Sequence, residues 1–564
     1  MSETETNFDR SLLRWNGWGR YSSDAGIGDR QELLFDWMGD TLGTGKLPET
    51  PAATLEETTL PPIQLGADIL NTLNTIVGVE NVKTDDYERA FHARGKSYAD
   101  LVEMRSGNIE FAPDAVVYPA NGEEVQALVN FAHENRIALV PFGGGSSVVG
   151  AVWARGGAGH LGVITLDTTR MDKLIAIDEI AMTATFEAGI YGPALEEILQ
   201  AQGYTLGHYP QSFEFSTLGG WVSARGAGQQ SNRYGKAERW LQSAKLATPG
   251  GHWQTEAFPA SAAAANLNQL VLGHEGTLGV VTEATVRIRK APSKKDYRGY
   301  LFANYEDGAK AIRQIAQSGV SVAMTRLSDP DETYFFANMG FKGKISPRIQ
   351  ALTPKVLNWL KLGDRPCLLL VGCEGDRRSV RHSVESVRAI TKANKGFHLG
   401  TLPGKNWYKG RFHSPFLRDP MMDRGIGLDT LETATTWSNM DTLYKAVQSA
   451  IKDAIDRETP EGQSGIVLCH ISHSYTDGTS LYFTFTFPRS GDDPMGQWQR
   501  IKKAASDAIN QNGGTISHHH GVGWDHEPWM AAEKGEIGLS ALKAVKAALD
   551  PKGVMNPGKV LKMD

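Results

Sequence analysis

The chain has 564 residues, 41% of them hydrophobic and 22% charged, which is too long for one hydrophobic core and ordinary for a globular enzyme of two or more domains. A formal net charge of −6 gives no reason to expect nucleic acid as a partner. The three cysteines, Cys367, Cys373 and Cys469, have no paired spacing. They argue against a disulfide framework or a structural zinc site and are expected as buried thiols in strands. The first residues carry Glu3, Glu5 and Asp9 without an apolar signal-peptide core. No apolar run of the roughly eighteen residues needed to span a bilayer occurs, so a cytoplasmic location is expected, with peripheral membrane contact left open.

In chain order, residues 1–104 are aromatic-rich, then proline-rich around 47–62, then helical. The sequence changes character near Pro113. A short strand at 115–118 precedes a helix at 123–136, whose apolar positions Val125, Leu128, Val129 and Ala132 share one face. A second strand at 137–140 runs directly into Pro141, Phe142, Gly143, Gly144, Gly145, Ser146 and Ser147. Strands at 163–166 and 184–188 and a helix at 193–201 follow. The polar segment 290–296, with Pro292 inside it, marks the next domain boundary. Beyond it, strands are expected at 300–304, 320–326, 367–372 and 481–487, and helices at 306–317, 378–393 and 539–549. Strands separated by helices, several alternating apolar with polar, predict an α+β sheet covered on one side. The expected divisions are 1–104, 105–290, 291–525 and 526–564, the last a helical segment returning to the second.

Three successive glycines at 143–145 let several backbone N–H groups converge on a phosphate with no Cβ in the way, and two serine hydroxyls add donors. No Lys follows in the triphosphatase arrangement, and no GxGxxG opens a helix after the first strand. Two further glycine-dense stretches, 215–228 and 271–283, follow in order. The ordered set PFGGGSSVVG, EFSTLGGWVSARGAG and GHEGTLGVVTEATVRI resembles the two-lobed FAD-binding domain of the vanillyl-alcohol-oxidase (PCMH-type) superfamily. That resemblance implies FAD contacts from Pro141, Gly143, Gly144, Gly145, Ser146, Ser147, Ser216, Thr217, Gly219, Gly220, Ser223, Glu275, Thr277, Gly279 and Val281. It also implies a separate α+β substrate (cap) domain with an antiparallel sheet. The first loop contains neither His nor Cys, so FAD is expected to bind without a covalent link.

A narrower resemblance rests on Arg14–Gly19 (RWNGWG), 215–220, Asn232–Gly235 (NRYG) and Ser517–Gly523 (SHHHGVG), which are similar to the alkyldihydroxyacetonephosphate synthase family almost end to end. It implies catalytic roles for Tyr482, His518, His519 and His520. It implies substrate binding by Arg418, in FLRD, and by Arg326, in MTRL. Chemically, the histidines offer neutral bases and donors near physiological pH. A phenol exchanges a proton only where its surroundings lower its pKa, and a guanidinium suits a phosphate or carboxylate. Adjacent histidines on a strand point to opposite faces, so no metal is expected at 518–520. The reaction implied exchanges the acyl group of acyl-dihydroxyacetone phosphate for a fatty alcohol through a flavin N5 adduct, in ether lipid synthesis. Such substrates require an apolar tunnel and a membrane-facing surface, for which 345–362 is a candidate amphipathic cap, its pattern fitting a buried core helix equally well. By analogy with the family, a homodimer is expected.

Two features depart from that pattern. The ending LDPKGVMNPGK at 549–559 resembles the flavin-dependent 2-hydroxy-acid dehydrogenases of the D-lactate type, and WDHEP at 524–528 is unlike the ether-lipid pattern. The alternative is therefore an FAD-linked dehydrogenase or oxidase that takes a hydride from a hydroxy acid, with Arg418 pairing the carboxylate.

Overall fold

β-branched and aromatic runs bounded by glycine and proline form eighteen strands among residues 10–23, 28–341 and 355–562, which the computed structural model describes. The first four are β1 (Val82–Lys83), β2 (Ala115–Val117), β3 (Ala138–Phe142) and β4 (Val163–Asp167), and they form a sheet in the order β1-β2-β4-β3. The run β2-β4-β3 is parallel, which demands a crossover between β2 and β3. The helix Gly122–Asn135 supplies it. Asn121 caps its start by accepting from the Glu124 N–H, Arg136 ends it at φ 54°, and Val125, Leu128, Val129 and Ala132 are buried as the spacing predicts.

The second lobe holds β5 (Leu174–Asp178), β6 (Thr183–Glu187), β7 (Tyr204–Thr205), β8 (Leu241–Thr248), β9 (Gly251–Gln254), β10 (Val280–Arg287) and β11 (Arg289–Lys290). Five of these form an antiparallel sheet, β5-β6-β10-β8-β9, while β7 and β11 pair as a short ribbon. Leu139 and Asn556 tie the end of the chain back to the first lobe: the Leu139 N–H donates to Val554 O and the Asn556 N–H to Leu139 O, both at 2.9 Å.

The remaining strands are β12 (Lys294–Phe302), β13 (Met324–Ser328), β14 (Cys367–Gly375), β15 (Phe397–Gly400), β16 (Ile426–Thr436), β17 (Ile466–Ser474) and β18 (Gly478–Pro488). They make one antiparallel sheet in the order β15-β12-β14-β13-β17-β18-β16. Its two faces are unlike. On β18, Leu481, Phe483, Phe485 and Phe487 are fully buried in one core with Leu443, Val447, Trp498 and Ile501 of the helices Met440–Glu458 and Pro494–Gln511. Each such side chain contributes about 1.5–3 kcal/mol. A one-residue slip would swap Phe483 for Tyr482, so the register is firmly held. Ser480, Tyr482 and Thr484 belong to the other face, which looks toward the glycine-rich domain.

The architecture is the α+β arrangement expected, with differences at element ends. The strand expected over 320–326 begins only at Met324, and the tail helix reaches back to Met530 with a break at Gly535 (φ 69°). All three cysteines are buried in β14 and β17. Of the candidate cap 345–362, positions 345–354 lie outside the described residues. Val356 and Trp359 beyond them are solvent-exposed.

Candidate active site

The glycine segments converge on one wall of a cavity whose opposite wall is the polar face of the seven-stranded sheet. At Gly144 a Cβ would collide with the Phe215 carbonyl, and at Gly143 it would strike the Thr217 hydroxyl, so only glycine lets the first loop approach the second this closely. Gly145 needs φ +65°, a left-handed conformation that glycine takes without strain. Arg10, half-buried beside Asp167 and His92, donates to the Gly143 carbonyl at 2.8 Å and clamps the first loop from behind.

The third segment is tied to the histidine segment by Glu275. Its buried carboxylate accepts the N–H groups of Val522 at 2.5 Å and Gly523 at 2.7 Å. Burial pushes this carboxyl up to about 7 although those two hydrogen bonds oppose the shift. Asn556 donates to both the Glu275 and Ala151 carbonyls, pinning the first and third segments together.

From these segments Pro141, Gly143, Gly144, Gly145, Ser146 and Ser147 line the cavity, as do Ser216, Thr217, Gly219, Gly220, Ser223, Glu275 and Val281. Thr277 and Gly279 do not reach it: the Thr277 hydroxyl is turned to the His274 carbonyl, and Gly279 packs against Ala247. Two buried ring nitrogens on the same cavity, His208 Nε2 and His473 Nδ1, have no protein partner. Buried polar atoms of this kind call for a ligand. Backbone-lined glycine loops, serine and threonine hydroxyls and unpartnered imidazoles together fit FAD.

On the facing wall, alternation along β13, β16, β17 and β18 brings Arg326, Thr430, His470, Tyr482 and Thr484 to one surface. A register shift between Ile471 and Ser474 turns the consecutive residues Ser472 and His473 toward the same cavity. Arg326 donates to His470 Nε2 at 2.9 Å and to Glu332 at 3.0 Å, and His470 Nδ1 donates to the same Glu332 oxygen at 2.8 Å. Burial alone would raise the Glu332 carboxyl, but Arg326 and His470 outweigh it and hold it at about 2. Arg418 is 6% exposed, reaches the cavity, donates to the Lys96 carbonyl at 2.6 Å, and lies 3.5 Å from Asp429. Its neighbour Asp419 accepts from the Trp18 N–H at 3.0 Å and from Arg14 at 3.2 Å, which explains why the RWNGWG segment is folded onto this corner.

Tyr482 sits directly opposite Glu432 in the β16–β18 register. Burial raises its phenol pKa despite the opposing Thr430 and Arg418, so at neutral pH it is an intact O–H donor. Glu432 is fully buried and was not foreseen. Its carboxylate accepts the N–H groups of His518 (2.6 Å), His519 (3.0 Å) and His520 (2.8 Å) and the Ser517 hydroxyl (2.9 Å). The three histidines therefore lie on a loop wrapped around an anion, not on a strand. His519 and His520 line the cavity, with ring centroids 6.0 Å and 5.5 Å from Tyr482, whereas His518 lies behind them. Burial lowers all three imidazoles, His519 to about 3, against the raising effect of Glu432.

Because the loop curves, two groups of side chains, His473–His518–His519 and Glu432–His519–His520, each offer ligand atoms within 4.8 Å of one another, where a strand would have separated them. In these groups Glu432 is already engaged by four donors and His518 by Tyr475 and His519, while His473 Nδ1 has no partner.

Residues 113–256 match the family model described as "FAD binding domain", and residues 291–560 match "FAD linked oxidases, C-terminal domain". The chain is 36% identical over 519 residues to an alkyldihydroxyacetonephosphate synthase of Dictyostelium discoideum, covering 91% of this chain and 84% of that one. It is 32% identical to the synthase of Trypanosoma brucei brucei over 97% of this chain and 92% of that one. A solved alkyldihydroxyacetonephosphate synthase structure superposes with a TM-score of 0.81 at 31% identity, covering 99% of each chain. The chain belongs to the FAD-binding alkyldihydroxyacetonephosphate synthase family.

Proposed function

We propose that the protein exchanges the acyl group of an acyl-dihydroxyacetone phosphate for a fatty alcohol, giving the alkyl ether and a free fatty acid. The observation that carries this reading is a single cavity in which a glycine-loop wall faces a buried arginine, a phenol and the four imidazoles of His470, His473, His519 and His520, with apolar side chains between. When bound, FAD supplies a reversible electrophile for the glycerone carbon from which the acyloxy group departs. Gly143, Gly144, Gly145, Ser146, Ser147, Ser216 and Thr217 hold its phosphates and ring; Thr277 and Gly279 support the loop that they stiffen.

Arg418 binds the substrate phosphate through its planar fork and keeps its own position by bonding the Lys96 carbonyl. Arg326, braced by Glu332 and His470, binds the second polar group of the glycerone unit. Met421, Leu468 and Phe335, which also line the cavity, exclude water and receive the alkyl chain. The Tyr482 hydroxyl, held protonated by burial, hydrogen-bonds the departing oxygen without giving up its proton, and the imidazole nitrogens of His519 and His520 exchange protons with the departing oxygen and the alcohol. Phe336 and Tyr334 on the helix Pro330–Phe341 are exposed, as are Val356 and Trp359. These apolar side chains support peripheral contact with the membrane that supplies both lipids. No helix among the described residues is long and apolar enough to cross a membrane. A homodimer is inferred from the family alone.

The hydroxy-acid oxidoreductase alternative is not favoured, because the relatives at 31–36% identity are synthases. Incubating the holoenzyme with palmitoyl-dihydroxyacetone phosphate and hexadecanol tests the assignment by mass spectrometry. Ether lipid and palmitate forming one for one support it. Palmitate without ether, or reduction of the flavin by 2-hydroxy acids instead, overturns it.

A further inference from the structure

The exchange needs a proton twice inside a cavity that excludes water: once on the departing acyloxy oxygen, and once off the attacking alcohol. Two side chains that do not line the cavity connect it to solvent. His519 Nδ1 lies 2.9 Å from His518 Nδ1, and His518 Nε2 lies 2.6 Å from the Tyr475 hydroxyl. His519 lines the cavity. Tyr475 is 36% exposed and sits on the turn joining β17 to β18, with its N–H donating to the Gly478 carbonyl at 2.8 Å. A chain of hydrogen bonds therefore runs from the cavity through His519 and His518 to the partly exposed Tyr475.

We propose that His519, His518 and Tyr475 form a proton relay between the lipid cavity and solvent. This rests on the exchange reaction assigned above. In the first half, the C–O bond to the acyloxy group breaks with its electron pair staying on that oxygen, which takes the proton from His519 Nε2, while bound FAD would hold the glycerone carbon until the alcohol arrives. His519 Nδ1 then takes the His518 Nδ1 proton, His518 Nε2 takes the Tyr475 hydroxyl proton, and Tyr475 is reprotonated by water. In the second half the alcohol oxygen forms the new C–O bond, and its proton enters at His519 Nε2. The same hops run outward and restore the starting tautomers. The proton drawn from solvent in the first half is returned in the second, so over the complete cycle no proton is gained or lost, and the fatty acid ionises after release.

The surroundings suit neutral hops. Burial disfavours a charged imidazole on both histidines, and a tautomer exchange needs none. The positions are rigid: Glu432 holds both backbone N–H groups, and Lys236 contacts the His518 carbonyl. The carboxylates acting on the Tyr475 end are Glu238, Glu432 and Asp477. His473 stacks beside His518 with ring centroids 5.0 Å apart, but its Nδ1 has no partner, so it lies outside the chain of bonds.

The test is Tyr475→Phe in the holoenzyme, assayed for ether formation. Removing the exposed hydroxyl leaves the aromatic packing in place. Turnover is expected to fall about tenfold, below the 10²–10⁴-fold typical of a group acting directly on substrate, with KM for both substrates within about twofold of wild type. Adding a small permeant buffer such as imidazole or formate is expected to restore much of the lost rate in the variant and to leave wild type unchanged. His518→Gln is expected to show the same rescue, which keeps the test available should either variant fold poorly. Wild-type turnover in Tyr475→Phe, or a loss that no buffer relieves in either variant, overturns the relay while leaving the reaction assignment intact. Absence of ether formation by the wild-type enzyme overturns both.

Discussion

Arg418 offers the sharpest separation between a binding role and a packing role. Its guanidinium is 6% exposed, with one arm bonded to the Lys96 carbonyl at 2.6 Å and another 3.5 Å from Asp429. Asp429 does not depend on it alone: Trp498 Nε1 donates at 2.7 Å and Lys502 stands at 3.5 Å. Arg418→Lys keeps a cation near Asp429 but loses the planar fork that meets a phosphate with two parallel bonds. Losing one charge-assisted hydrogen bond costs about 1.5–3 kcal/mol, or roughly 10- to 150-fold in affinity. Arg418→Ala is a poorer probe, because removing one partner of a buried pair destabilises the fold by about 3–5 kcal/mol. The assay compares kcat/KM for palmitoyl-dihydroxyacetone phosphate with that for the same lipid lacking phosphate. Wild type is expected to prefer the phosphorylated lipid. Arg418→Lys should lose that preference by the factor above while KM for hexadecanol stays unchanged. A folded, FAD-loaded Arg418→Lys that discriminates as well as wild type would refute phosphate binding by this residue.

Three further outcomes are expected. Gly144→Ala drives a methyl into the Phe215 carbonyl; the overpacking of about 1–3 kcal/mol should raise the FAD dissociation constant roughly 5- to 150-fold, read from flavin fluorescence during dilution. Tyr482→Phe, which removes a phenol held protonated by burial, should lower kcat about 10²-fold with KM little changed, and the wild-type rate should show no basic limb due to this group near neutrality. Glu275, raised by burial from an ordinary carboxyl value of 4.5 to about 7, contributes stability that is complete below the unfolded pKa and lost as pH rises through the folded one. Relative to Glu275→Gln, the wild-type protein should therefore lose roughly 3 kcal/mol between pH 4.5 and 7, seen in paired denaturant titrations.

How much of this was legible in the sequence differs between the two walls of the cavity. The glycine wall was readable because its signal is local: strand, helix and strand deliver Gly143–Gly145 within a few residues, and the other two segments follow in order. The facing wall is assembled from β13, β16, β17 and β18, whose strand order departs from their order in the chain. Glu332, Glu432, His470 and His473 are brought together only by that pairing, so no spacing announces them. A hint was present in the alternation of Leu468, His470 and Ser472, but the register shift that adds His473 has no sequence mark. The histidine run was visible while its shape was not, because the loop is bent by a carboxylate some 85 residues earlier in the chain. Arg418, by pattern alone an ordinary surface charge, is buried because Asp429 and the Lys96 carbonyl receive it.

The central claim is an exchange without net oxidation, and anaerobic mixing of the holoenzyme with palmitoyl-dihydroxyacetone phosphate tests it most directly. The account predicts that visible flavin absorbance falls with no electron acceptor present, that one palmitate is released per flavin, and that hexadecanol restores the yellow colour as ether lipid appears. Flavin that stays oxidised with this lipid, yet is reduced by a panel of 2-hydroxy acids and recovers only on adding an acceptor, would contradict it.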